Sequence, residues 1–167
     1  MLVYLLRHGD AIESATLHDS ERPLSGIGNK QAVTVGTFLK SLNIHPDRII
    51  SSPLVRAQQT AEHVRALLNL AAVHTSEYLI PGTRKQQLID MLNEGQVNSV
   101  LLVGHEPHLS QTISFLLTEH ENLQVDMRKC SLGCLLASSP ARKGHAMLQW
   151  LLTVEQMGML LYQGPSH

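Results

Sequence analysis

Aromatic side chains are scarce: one Trp, three Tyr and two Phe make up 4% of the 167 residues. Any core must therefore be built from Leu, Val, Ile and Ala, and a hydrophobic content of 43% suits one globular domain over residues 1–167. Cysteine is scarcer still, with only Cys130 and Cys134. If they share a strand, a rise of about 3.3 Å per residue separates them by roughly 13 Å, beyond disulfide reach. A reduced, cytoplasmic protein is the expectation. An excess of either charge is also lacking. Thirteen Lys and Arg against fourteen Asp and Glu leave a formal net charge of -1, with no basic block or acidic tail, which argues against nucleic-acid and acidic-membrane binding. No apolar run reaches membrane-spanning length, and the one at the amino terminus is too short for a secretory signal.

Histidine, by contrast, is plentiful. Ten of them raise the question of a metal. His105 and His108 stand three apart with Pro107 between them, unlike the i, i+4 pair of a helical zinc motif, so no metal or other cofactor is expected. Gly26 and Gly28 match only part of a dinucleotide fingerprint, because no strand precedes them and the third glycine is missing.

The chain is organised around Leu2-Val3-Tyr4-Leu5-Leu6-Arg7-His8-Gly9-Asp10, an apolar run that ends at a cation, an imidazole and a glycine. The run has the length and continuity of a strand covered on both faces. Gly9 allows a sharp turn and the close approach of a ligand. Ligands of open α/β sheets bind beyond the carboxyl ends of the strands, where Arg7 and His8 would sit.

A polar loop from Ile12 to Arg22, carrying Glu13, Asp19 and Glu21, forms the rim of that site. Ser25 then caps a helix whose apolar positions Ala32, Val35, Leu39 and Leu42 repeat at helical spacing and which ends near Asn43. Arg48–Ser51 reads as a second strand. Ser52 as N-cap and Pro53 at the first helical position open the next helix, placing Arg56 near its first turn, where unpaired N–H groups and the helix dipole favour an anion. A third strand at Ala71–His74, a loop at Glu77–Gly82 and a helix from Thr83 to Asn93 follow. Ser99–Gly104 is the most strongly apolar strand and stops at His105, with a helix starting at Glu106-Pro107-His108. Ser131–Ala137 and His145–Leu152 read as two closing strands joined through Ser138-Ser139-Pro140, and the tail from Gln163 to His167 as loose.

Alternating strands and helices imply a three-layer α/β/α sandwich on a mostly parallel mixed sheet, the closing pair being the candidates for antiparallel pairing. Right-handed crossovers bring the ends of the first, second and fourth strands to one edge, and with them Arg7, His8, Arg56 and His105. Two guanidiniums, two imidazoles and a helix N-terminus fit a phosphoryl group: arginine grips its equatorial oxygens, and a histidine beneath the phosphorus serves as nucleophile. No constellation for magnesium is evident.

Arg7-His8-Gly9, Ser52-Pro53-Leu54-Val55-Arg56-Ala57 with Thr60, and Gly104-His105-Glu106-Pro107 resemble the three signatures of the histidine phosphatase superfamily, the phosphoglycerate mutase-like proteins. The resemblance runs from Met1 to about Trp150. Arg22-Pro23-Leu24-Ser25, Asp10 and the small size are most similar to the SixA-type phosphohistidine phosphatases. The resemblance implies that His8 carries the phosphoryl group on a ring nitrogen, with Arg7, Arg56 and His105 completing the phosphate pocket. It implies a neutral His8, favoured by the nearby guanidiniums and fixed in tautomer through its other nitrogen, and a His105 whose cationic character helps it donate.

For the general acid, Glu77 is the closest match to the Glu that larger members carry after the third strand, Glu106 matches another branch, and Asp10 is a third candidate. Arg22 is a further candidate for substrate contact. Only about twenty residues separate the third and fourth strands, so no large helical lid is present and the pocket should be open. That suits phosphohistidine on a protein surface, such as a histidine phosphotransfer domain, with a small phosphomonoester as the alternative substrate and inorganic phosphate as the product. The non-enzymatic alternative, a phosphate- or phosphohistidine-binding module, has no use for a nucleophile at His8.

Overall fold

The computed structural model describes residues 1–95 and 97–162. One six-stranded sheet runs in the order β3-β2-β4-β1-β5-β6, formed by β1 (Leu2–Arg7), β2 (Arg48–Ser51), β3 (Val73–Thr75), β4 (Ser99–Gly104), β5 (Leu132–Ala137) and β6 (Ala146–Leu152). The first four strands are parallel, and β5 and β6 are antiparallel to their neighbours. This is the mixed sheet of the expected phosphoglycerate mutase-like sandwich, closing pair included.

The helices are α1 (Gly26–Ser41), α2 (Val55–Leu68), α3 (Lys85–Leu92), α4 (His108–Thr118) and α5 (Val154–Tyr162). Side chains of β1 alternate between two cores because successive Cβ atoms point to opposite faces. Tyr4 and Leu6 join Val35, Leu39, Ala57, Ala61 and Met157 beneath α1, α2 and α5. Val3 and Leu5 join Leu88, Ile89, Leu109 and Ile113 beneath α3 and α4. With few aromatics to fill space, the single Trp is used at one end of the first core, where Trp150 lies edge-on to Phe38 at 6.4 Å and tilted on Tyr4 at 6.1 Å.

Several boundaries differ from expectation. Helix α2 begins at Val55, three residues after Ser52; its N-cap is Leu54, which has no side-chain acceptor, and the expected cap Ser52 has its hydroxyl against His105. Glu77–Leu79 forms a 3-10 turn within the expected loop. Helix α5 has no counterpart in the sequence reading; its Val154 and Met157 are buried in the α1 core. Cys130 lies just before β5 rather than on it, and both cysteines are buried free thiols. The expected loose tail lies outside the described residues. The β3–β4 connection holds only the 3-10 turn and α3, whose Leu79, Leu88, Ile89 and Leu92 are committed to the core, so no helical lid is inserted there.

Register brings the strand ends together. Arg7 pairs with Gly104 and Ser51 with Val103, so β1, β2 and β4 finish on one edge.

Candidate active site

His8 is placed by main-chain hydrogen bonds to both neighbouring segments. Its N–H donates to the Gly104 carbonyl at 3.0 Å, and its own carbonyl accepts from Cys130 at 3.3 Å. Gly9 follows at a position where any side chain would press into the Gly28 main chain: a Cβ would stand 2.8 Å from the Gly28 oxygen. Gly28 in turn has no room because the Asp10 main chain lies against it. These glycines allow the β1 loop and the start of α1 to pack backbone to backbone, a packing role that the sequence did not announce for either. Thr60 ties this loop to α2, accepting from Gly9 N–H at 3.1 Å and donating to the Arg56 carbonyl at 2.7 Å.

The same edge assembles the side chains. The Nδ1 of His8 lies 2.7 Å from the Gly9 carbonyl, which can only accept, so Nδ1 carries the hydrogen and Nε2 presents its lone pair. Arg56 donates Nε–H to that lone pair at 3.3 Å. Burial, followed by the Lys129 ammonium, lowers the His8 pKa to about 2; the Arg56 guanidinium contributes less than either. Neutrality was expected of His8, but through the guanidiniums.

His105 stacks obliquely on His8, with ring centroids 4.8 Å apart and planes at 54°. Its Nε2 is 2.8 Å from Ser52 Oγ. That hydroxyl also accepts from Leu54 N–H at 3.4 Å, and His105 is the one acceptor within its reach among the described residues. Ser52 therefore donates to Nε2, which leaves Nδ1 protonated on a neutral ring. Burial, then the Arg56 guanidinium, lowers the His105 pKa to about 4, so the cationic form expected from sequence is replaced by a neutral donor. His105 Nδ1 and Arg7 Nε are both buried without a hydrogen-bond partner among the described residues. Unused buried donors at this strand edge, one of them on the ring stacked on His8, are free to take up an anion. Arg7 is steadied by donating Nη1–H to the Met127 carbonyl at 2.7 Å.

Asp19 was named in sequence only as rim, yet it sits inside the constellation. Both Nη atoms of Arg56 donate to it, Nη1 to its carbonyl and Nη2 to Oδ2, the latter at 2.8 Å. Arg22 donates to its other oxygen at 3.0 Å. The hydrogen bond from Arg56 holds the Asp19 carboxyl below the usual carboxylate range, so it is ionised. Lys129, half-buried, was missed altogether; burial, then Arg7, lowers its pKa.

The three expected acid candidates are scattered by role. Asp10 accepts from the Ser25 hydroxyl at 2.6 Å, beside the cap of α1. Glu106 accepts from Ser110 N–H at 2.9 Å in the first turn of α4. Glu77 is exposed on the 3-10 turn after β3, and its carboxylate makes no hydrogen bond among the described residues. No group of three or more His, Cys, Asp or Glu among the described residues is arranged to hold a metal ion.

A model of the histidine phosphatase superfamily (branch 1) matches residues 3–80, which contain the first two motifs. The chain is 35% identical over 121 residues to phosphohistidine phosphatase SixA of Escherichia coli (strain K12), spanning 70% of this chain and 74% of that one. The chain belongs to the histidine phosphatase superfamily. A SixA homolog from Haemophilus influenzae is 34% identical over 127 residues, 70% of this chain and 77% of its own. The solved structure of the protein histidine phosphatase SixA complexed with tungstate superposes with a TM-score of 0.79 at 27% identity, covering 92% of this chain and 97% of that one. The superfamily's sandwich is thus matched over nearly the whole length of both chains, well beyond the family-model match to residues 3–80.

Proposed function

We propose that the chain acts as a single histidine phosphatase domain that hydrolyses phosphohistidine on a protein through a phosphorylated His8. The observation that carries this reading is the state of His8: neutral, with Nδ1–H tied to the Gly9 carbonyl and the Nε2 lone pair facing Arg56 at 3.3 Å. Attack by Nε2 forms a phosphorus–nitrogen bond as the substrate phosphorus–nitrogen bond breaks in line, the electron pair leaving with the substrate imidazole. Arg7, Arg56 and neutral His105 are the donors for the equatorial oxygens. Water then forms a phosphorus–oxygen bond, the bond to Nε2 breaks with its electron pair returning to that nitrogen, and dihydrogen phosphate leaves with both protons of the water, His8 being restored with its Nδ1–H. No cofactor enters either step.

Glu77, exposed after β3 with a carboxylate that makes no hydrogen bond among the described residues, serves as proton donor for an ester leaving group; an imidazole leaving group needs it less. Absence of an inserted lid favours a macromolecular substrate, with a histidine phosphotransfer domain as the partner type. No helix among the described residues is long and apolar enough to cross a membrane. The two free thiols add support for a place in cytoplasmic signal transduction.

The test is phosphate release from a phosphohistidine-labelled phosphotransfer domain, with His8→Ala and an aryl phosphate beside it. Fast release that is abolished in His8→Ala, with acid-labile phosphate trapped on the wild-type enzyme, is the expected result. Hydrolysis of the aryl phosphate alone removes the protein substrate. Binding of phosphate with no turnover of either compound leaves a binding module.

A further inference from the structure

The Arg56 guanidinium lies between two groups of opposite character. Its Nε end meets the nucleophilic nitrogen of His8 at 3.3 Å, and its Nη end is covered by Asp19. The Asp19 carboxylate is therefore linked to the nucleophile through one guanidinium and the hydrogen bonds at its two ends, 3.3 Å to His8 and 2.8 Å to Asp19 Oδ2. His8, Arg56 and His105 are only 4%, 7% and 2% exposed, whereas the Asp19 side chain is 65% exposed, so the line from His8 to Asp19 runs from the floor of the site to its mouth. A phosphoryl group held on Arg56 above Nε2 must expel its leaving atom in line, away from His8 and toward that mouth.

The carboxylate is also fixed there. Arg56 holds Oδ2 and Arg22 holds Oδ1, and Arg22 is itself anchored by donating Nε–H to the Ile12 carbonyl at 2.9 Å. Each carboxylate oxygen retains acceptor capacity after one such bond. A doubly held, ionised carboxylate offers an acceptor to the leaving group and has no proton to give.

We infer that Asp19 is a leaving-group specificity residue, whose carboxylate accepts the ring N–H of a phosphohistidine imidazolium and thereby selects phosphorus–nitrogen over phosphorus–oxygen substrates. This rests on the phosphohistidine reading above and says how the site recognises it. In the transfer step the phosphorus–nitrogen bond to the substrate breaks, its electron pair stays on that nitrogen, and the bond to His8 Nε2 forms. The other ring nitrogen already holds its proton against Asp19, so the imidazole departs neutral and no proton crosses the site. An alkyl phosphate has no N–H to offer, and an ionised Asp19 cannot protonate its leaving oxygen, so that proton has to come from Glu77. Substrates with a carboxylate beside the ester are repelled.

The experiment measures kcat/KM for a phosphohistidine peptide and for an aryl phosphate with the wild-type protein, Asp19→Asn and Asp19→Glu, reading the ratio of the two. A hydrogen bond to a charged acceptor predicts that Asp19→Asn lowers the ratio about tenfold to a hundredfold. Asp19→Glu, which keeps the charge, recovers part of it. An equal fall for both substrates makes Asp19 only a support for Arg56 and overturns the inference, as does an unchanged ratio. A wild-type protein inactive on the phosphohistidine peptide but active on the aryl phosphate instead overturns the substrate reading itself, before any variant is compared.

Discussion

Three buried neutral histidines make the fold sensitive to mild acid. His8, His105 and His108 are 4%, 2% and 0% exposed, and burial is the first cause lowering each from 6.5, to about 2, about 4 and about 4. Protonation in the folded state would set His8 beside Lys129, His105 and Arg56, and His108 beside Lys85. His108 already donates Nε2–H to the Tyr78 carbonyl at 2.9 Å, and its buried Nδ1 has no partner among the described residues. A histidine whose folded pKa is lowered binds its proton more readily when unfolded, so stability is full above 6.5 and is lost as the pH falls toward the folded value. At pH 5 all three are charged in the unfolded chain and neutral in the folded one. Each pH unit weighs about 1.4 kcal/mol per group, giving at most about 2 kcal/mol each and about 6 kcal/mol together at that pH. Typical total stabilities are ~5–15 kcal/mol.

The measurement is Tm by circular dichroism from pH 8 to pH 4.5. At ~2–4 °C per kcal/mol for a chain of this size, Tm falls by about 12–24 °C between pH 7 and pH 5. The carboxyls of Asp19 and Asp47 are also held low, but their contribution disappears only below the usual carboxylate range and does not interfere. His108→Gln keeps a donor for Tyr78 and removes one titrating group, so its profile is flatter by about one proton. A Tm that moves by less than ~4 °C over the interval refutes the reasoning, since it would mean that less than one of the three protons is taken up on unfolding.

Gly28→Ala drives a methyl into the Asp10 main chain, which cannot yield as a side-chain end would, and costs ~1–3 kcal/mol in chemical denaturation; Gly26→Ala, with nothing within 4 Å of its Cβ, stays within ~1 kcal/mol of the wild type. Arg56→Lys loses the fork that reaches His8 and Asp19 together, and kcat/KM on either substrate falls ~10²-fold or more in steady-state assays. Ser52→Ala strips His105 Nε2 of its partner, lowering stability by ~1–3 kcal/mol, and nitrogen chemical shifts of His105 report loss of the Nδ1–H tautomer. Glu77→Gln reduces turnover of an alkyl phosphate ~10²-fold or more and leaves phosphohistidine turnover the less affected of the two.

What the sequence made legible was whatever depends on local pattern or on the direction of a strand. The apolar runs of β1, β2 and β4 could be read because both their faces are covered, and their parallel register then obliges Arg7, His8 and His105 to share an edge with Arg56 at the start of α2. The state of those residues was another matter. Two arginines in the sequence suggested that charge keeps His8 neutral, and a donor role suggested cationic character for His105, whereas in the fold burial is the first cause lowering both. Burial belongs to the assembled molecule, and no spacing of residues announces it.

Ser52 and Asp19 show the same division from the polar side. Ser52 before Pro53 satisfies every local rule for a helix cap, but β2 and β4 bring His105 within 2.8 Å of its hydroxyl, and a buried imidazole nitrogen without a partner costs more than an uncapped helix end near the surface. Helix α2 accordingly starts at Val55, and the serine is left to fix a tautomer. Asp19 is one of three acidic residues of a polar loop, and its i, i+3 relation to Arg22 was the one local sign that it differed from Glu13 or Glu21. Its pairing with Arg56 spans 37 positions and exists only once the loop has been laid across the ends of β1 and α2. The residues proposed to hold the phosphate could be read from where strands end; the residue argued to choose what leaves it could be found only after the loop had closed over them.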